Sequence, residues 1–148
     1  MRTFRFRLDR LIEIRRYRER EWELKLADAT GRCILIRQKM GGKQAEAGRA
    51  IKSRFHQIGT MDTNFLAACE LYLTRLDSEI DALEQDLALG EAKRQEVQQG
   101  YLEASRERKV MEKLRERRQD EYRQEQKKEE FRQLNEINTG SLFRRRSY

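Results

Sequence analysis

Residues 66–87 read LAACELYLTRLDSEIDALEQDL. Taken at alternating steps of three and four, they give Leu66, Cys69, Leu73, Leu76, Ile80, Leu83 and Leu87, all apolar. The series continues in register as Gly90, Arg94, Val97, Tyr101, Ala104, Arg108 and Met111. A mean spacing of about 3.5 residues keeps one stripe against a partner helix and imposes a left-handed supercoil. Acids, bases and amides fill the positions between, and the chain has no proline. This stretch is one side of a coiled coil.

Composition fits a thin seam rather than a globule. Of 148 residues, 40% are charged and 37% hydrophobic, against ~45–50% apolar in ordinary domains; the mean hydropathy is −1.02. The net charge is +7 and the pI is about 9.6. Acids and bases nevertheless interleave, which favours a solvated, salt-laced helix surface over a nucleic-acid face. Cys33 and Cys69 fall on seam positions and read as small buried hydrophobes in a reducing compartment. Apolar runs such as Cys33 to Ile36 are far too short to span a membrane. The opening, Met1 to Arg7, has no signal-peptide core. A soluble, cytoplasmic protein is expected.

Upstream of the seam, Thr3 is a candidate helix cap. Leu8 and Ile12, Trp22 and Leu26, Ala29 and Cys33, and Ile36 and Met40 are i,i+4 pairs recurring every seven residues. One repeat fails: Arg15 and Glu19 stand where apolar residues belong, spaced to pair with each other along the helix. Gly41-Gly42 marks the place for a bend or break. Gly42-Lys43 lacks the earlier glycine and the following Ser or Thr of a phosphate loop.

Helix one is predicted over about residues 3–57, a turn over about 58–62, and helix two over about 63–139. So short a connection makes the two helices antiparallel neighbours. Charge supports this independently. Residues 26–60 hold seven bases and two acids, and residues 61–92 hold one base and eight acids. A hairpin sets these segments side by side, whereas a parallel homodimer sets acid beside acid. Facing residues should then have numbers totalling about 123, with Trp22 opposite Tyr101, Cys33 near Gly90 and Cys69 near Arg54. The two cysteines are too far apart for a disulfide within one chain.

The fold class is therefore all-α: a long antiparallel two-helix coiled-coil hairpin, monomeric on its own and forming a single unit over 1–140. A C-terminal helix is expected to project beyond about Gln119, and residues 141–148 to form a disordered basic tail. Convergent groups in a concave site, which an enzyme requires, are not legible. His56 has no partner at metal-ligand spacing, and no cofactor or small-molecule substrate is implied.

The two ends resemble a known family. Phe4-Arg5-Phe6-Arg7-Leu8-Asp9-Arg10-Leu11-Ile12-Glu13-Ile14-Arg15 is similar to the opening of FliJ, a flagellar protein-export component: Phe-x-Phe, a Leu-rich turn, then a basic residue. Val110 to Arg117, followed by Tyr122, resembles the FliJ C-terminal signature. Leu134-Asn135-Glu136-Ile137 does too, with Asn135 where the family commonly has Asp. The resemblance implies a cytoplasmic stalk of the flagellar type III export apparatus, at the inner face of the plasma membrane. Its partners would be a hexameric export ATPase, a membrane export-gate protein and export chaperones. The ATPase contact would fall on Phe4, Phe6, Arg7, Val110, Met111, Leu114, Arg117 and Tyr122, residues that also serve to close the hairpin's open end. By position, the gate contact would fall on Phe55, Tyr72 and Leu76, the last also a seam residue. Two other classes share the pattern: a basic coiled coil binding nucleic acid, with steeply salt-dependent affinity, and a generic coiled-coil scaffold or chaperone.

Overall fold

A computed structural model describes the backbone of residues 4–56 and 62–145, with side chains from Phe4 to Phe55 and from Asp62 to Gly140. The described part is all-helical: two long helices, α1 (Asp9–His56) and α2 (Thr63–Arg145), pack against each other. Gly41 and Gly42 lie inside α1 without interrupting it. Residues 58–61 of the predicted turn and the side chain of His56 lie outside the described residues. At the start of α2, the Asp62 carboxylate accepts a hydrogen bond from Asn64 N at 3.0 Å, satisfying an amide the first turn would leave orphaned.

Two boundaries differ from the sequence reading. α1 begins at Asp9, not near Thr3, because residues 4–8 leave helical geometry through a turn in which Asp9 N donates to Phe6 O at 3.2 Å. The carboxylate of Asp9 then stands in the first helical turn, where it complements the helix dipole. At the other end, helical backbone runs past Gly140 to Arg145, into the segment expected to be a disordered tail. No residue there breaks the pattern, since the tail lacks proline. Residues 146–148 lie outside the description.

Packing divides the chain into two compact units, one of residues 1–19 with 104–148 and the other of residues 20–103, where the sequence reading treated 1–140 as one. In both, every α2 position of the seam series from Leu66 to Met111 is buried or half-buried.

In the unit of residues 20–103, the helices run antiparallel. Arg54 pairs with Glu70 at 3.2 Å and Lys43 with Glu79 at 2.8 Å; Arg37 also reaches Glu91. The core is thin: Ala29, Cys33, Leu76 and Val97 are its buried apolar residues. Two glycines let the helices approach. A Cβ on Gly90 would stand 3.3 Å from Cys33 Sγ, and one on Gly100 would stand 2.6–2.8 Å from the six-membered ring of Trp22. The indole therefore lies on the bare backbone of Gly100, one residue from the expected Tyr101, with Lys25 Nζ 4.6 Å from the ring centroid. Cys33 and Cys69 are free thiols.

In the unit of residues 1–19 and 104–148, Ile12 and Ala104 are buried, and Arg115 pairs with Asp9 at 3.2 Å. The failed heptad sits here. Arg15 and Glu19 do not pair with each other. Arg15 instead reaches across to Glu107, and Glu19 to Arg108. Arg16 donates through Nε and Nη2 to Glu112 at 3.1 and 2.9 Å, and Arg108 reaches that same carboxylate. Glu19 and Arg108 side chains are only 15% and 22% exposed, so each satisfies a charge the other would leave half-buried. Burial pushes the Glu19 carboxyl up, but hydrogen bonds from Arg108 and Ser105, with the charges of Arg108 and Lys109, outweigh it and hold it below the ordinary value. Arg108 is correspondingly raised, first by its hydrogen bond to Glu19. The layer is imperfect: Arg15 Nε is buried without a hydrogen-bond partner.

Two stability predictions come from these contacts. Alanine replaces an exposed helical glycine with a gain of about 1 kcal/mol, and nothing lies within 4 Å of a Cβ at Gly48. Gly48→Ala should therefore raise the melting temperature. Gly100→Ala makes the same helix gain but overpacks Trp22 at a cost of ~1–3 kcal/mol, so it should lower the melting temperature. Thermal melts followed by circular dichroism measure both, and a higher melting point for Gly100→Ala would contradict the Trp22 packing. The second concerns pH. A carboxyl lowered in the folded state stabilises the fold above its unfolded value of about 4.3. That stabilisation is lost as pH falls through the folded value. Glu19→Gln should cost about 1 kcal/mol near neutrality, and the gap to the parent chain should close as the solution is acidified. A gap independent of pH in denaturant titrations would show that the Glu19 charge is not what stabilises this layer.

Candidate functional site

The non-helical segment before α1 cannot pair its backbone within a helix, and its aromatic side chains turn toward α2. The Phe4 and Tyr122 rings meet with centroids 5.6 Å apart, tilted by 44°, within the range where aromatic pairs attract beyond simple burial. Gln126 Nε2 donates to the Tyr122 hydroxyl at 2.9 Å. Around this pair lies an open groove of about 750 Å³, walled by residues 4–8 on one side and by Leu114, Arg118, Glu121, Tyr122 and Glu125 on the other. Apolar rings form its body, while Arg5 and Arg7 on one wall and two glutamates on the other give it charges of both signs. Such a groove can take an apolar side chain and hold the polar backbone around it.

Of the residues singled out for the open end, Phe4, Phe6, Arg7, Leu114 and Tyr122 come together in this groove. Met111 is half-buried in the seam. Val110, 65% exposed, and Arg117, also exposed, stand outside the groove lining. Sequence reasoning missed Arg118, Glu121 and Glu125. The signal was available: Leu114, Arg118 and Tyr122 recur every four residues, so one face of the helix carries all three. The antiparallel register then sets that face opposite residues 4–8.

The second set lies in the other unit. Phe55 is 64% exposed near the end of α1, and Tyr72 is 45% exposed. The Tyr72 hydroxyl donates to Glu46 across the helix pair at 3.4 Å. Leu76 is 2% exposed and belongs to the seam, so it can reach a partner only if the helices part. Nearby, Lys43 is raised and Glu79 lowered, each first by the hydrogen bond between them. Among the described residues no cluster of His, Cys, Asp and Glu could hold a metal ion, and no helix is long and apolar enough to cross a membrane.

Residues 4–147 match the family model described as Flagellar FliJ protein. No curated protein and no solved structure matches the chain. The family match begins at Phe4 and takes in both walls of the groove as well as both helices. The chain belongs to the flagellar FliJ family, which is associated with flagellar protein export.

Proposed function

We propose that the chain is the stalk of the flagellar type III export apparatus: it binds the hexameric export ATPase through the unit built from its two ends, and meets the membrane export gate and export chaperones through the other unit. Its working place is the cytoplasm, at the inner face of the plasma membrane. On this reading the C-terminal part of α2 projects as a single helix. Residues 127–139 are exposed throughout, including Phe131, Leu134 and Ile137, which suits a segment that waits for a partner.

The observation that carries the proposal is the Phe4–Tyr122 groove. Family membership supplies the process, and the groove supplies a contact where aromatic rings lie half-open at the surface. Partly exposed aromatics in a preformed cleft are typical binding anchors. A ring presents its central pore only when assembled, so a ligand of the pore promotes assembly by mass action. The stalk should therefore raise ATP hydrolysis most where ring subunits are scarce.

The test is ATP hydrolysis by the partner ATPase, titrated with the full chain and two variants. Phe4→Ala with Tyr122→Ala should raise the half-maximal concentration by about tenfold or more, as loss of an aromatic anchor does. Tyr72→Ala should stimulate like the parent chain while losing affinity for the gate protein. Stimulation by the double variant equal to the parent's, at unchanged helicity, would remove the ATPase contact from the groove. Absence of binding by any form would remove the stalk reading itself.

A further inference from the structure

Charge is unequally divided between the two units. Residues 1–19 and 104–148 hold twenty-one bases and twelve acids, a net of +9, while residues 20–103 hold twelve bases and fourteen acids, a net of −2. Within the first unit two acids of α2 are drawn to α1. Glu107 and Glu112 are held by Arg15 and Arg16. Two α2 bases, Arg108 and Arg115, reach α1 in turn, at Glu19 and Asp9, and the other described bases of this stretch are exposed.

They are not scattered there. At about 100° per residue, Arg106, Lys109, Lys113, Arg117, Lys127 and Lys128 share one arc of the helix some 100° wide. The seam residues Val97, Ala104 and Met111 fall on the opposite face. All six cations are exposed; Lys109 also acts through its charge on Glu19, and among the described residues none of the six forms a direct salt bridge with a carboxylate. At 1.5 Å per residue the stripe is roughly 33 Å long. One acid interrupts the arc, Asp120, and it is paired with Arg123 at 3.8 Å. Two apolar side chains share the arc as well, Val110 at 65% and Phe131 at 66% exposed.

From this juxtaposition we infer that the outer face of α2 from Arg106 to Phe131 is a docking surface for an anionic lipid bilayer. This goes beyond the stalk reading and does not use the groove. A line of exposed cations on one face of a continuous helix seeks an extended anionic surface. Nucleic acid offers the same charge, but a duplex has no apolar layer for Val110 and Phe131. The boundary between headgroups and acyl chains has one, and a helix lying there points its apolar residues inward with cations beside them. The contact is mainly electrostatic, so it is reversible and weakens with salt. Each lysine or arginine held near such a surface raises partitioning about fivefold.

The experiment is co-sedimentation of the full chain with vesicles of phosphatidylcholine and phosphatidylglycerol mixed about seven to three, with pure phosphatidylcholine vesicles alongside. Binding is expected to the anionic vesicles alone and should fall as salt rises. Arg106→Glu with Lys113→Glu and Lys128→Glu should lower it at least tenfold. The matched variant, Lys39→Glu with Arg49→Glu and Lys52→Glu, changes net charge equally in the other unit and should bind within about twofold of the parent. If the reversals disturb helicity, the corresponding glutamine variants carry the same comparison. No binding to anionic vesicles, equal binding to neutral ones, or equal loss in both triple variants would overturn the inference. Displacement of the chain from vesicles by duplex DNA at equal phosphate concentration would also overturn it, in favour of nucleic acid.

Discussion

A seam between only two helices has room for a single apolar stripe, and every other property of this protein follows from that restriction. Few side chains are fully buried, among them Ile12, Cys33 and Leu76. A repeat of seven also looks much the same when slid by seven, so apolar burial alone sets the register of such a pair weakly. Each unit therefore carries features that are not repeated. In one, Trp22 lies on Gly100 and Cys33 beside Gly90. In the other, the ionic layer of Arg15, Glu19, Ser105, Glu107 and Arg108 takes the place of an apolar repeat. A shifted register would set Trp22 against a side chain instead of a bare backbone, or strand Glu19 half-buried without its arginine. Polar groups inside an apolar seam cost stability, and their best-attested use is this choice of one alignment over others.

The stripe itself was fully legible, because a 3-4 spacing has one physical meaning when it persists this long. The helix-by-helix pairing was legible from charge, since the basic and acidic segments are each long enough to rule against a parallel partner. What escaped was anything decided by a specific contact across the seam. Arg15 and Glu19 have the spacing to pair along α1, but longer reach and partial burial make the cross-helix partners better. Gly100 reads as a weak point in a helix until the indole opposite it is seen. The start of α1 escaped for the same reason: local sequence allows helix from Thr3, while Phe4 meets Tyr122 from a non-helical segment.

The groove was half legible. Its aromatic residues stand out in a chain of which only 8% is aromatic, and the family resemblance drew attention to both ends. Its acidic wall, Glu121 and Glu125, did not stand out, because glutamate is everywhere in α2 and only the register singles out these two. Val110 and Arg117 show the converse. They belong to the same signature stretch, yet the turn of the helix carries them away from the groove lining. A contiguous motif on a helix is thus split among different faces, and its members need not share a task.

Trp22 is the chain's single tryptophan, and its place on Gly100 beneath Lys25 has a practical side. Indole emission responds to the polarity around the ring and to nearby charge, so the protein carries a built-in optical gauge of how closely α1 and α2 approach at that level. Any partner that pries the unit of residues 20–103 apart, or clamps it tighter, will write its action into the colour and lifetime of that emission. No dye has to be attached, and the surface that partners meet is left untouched.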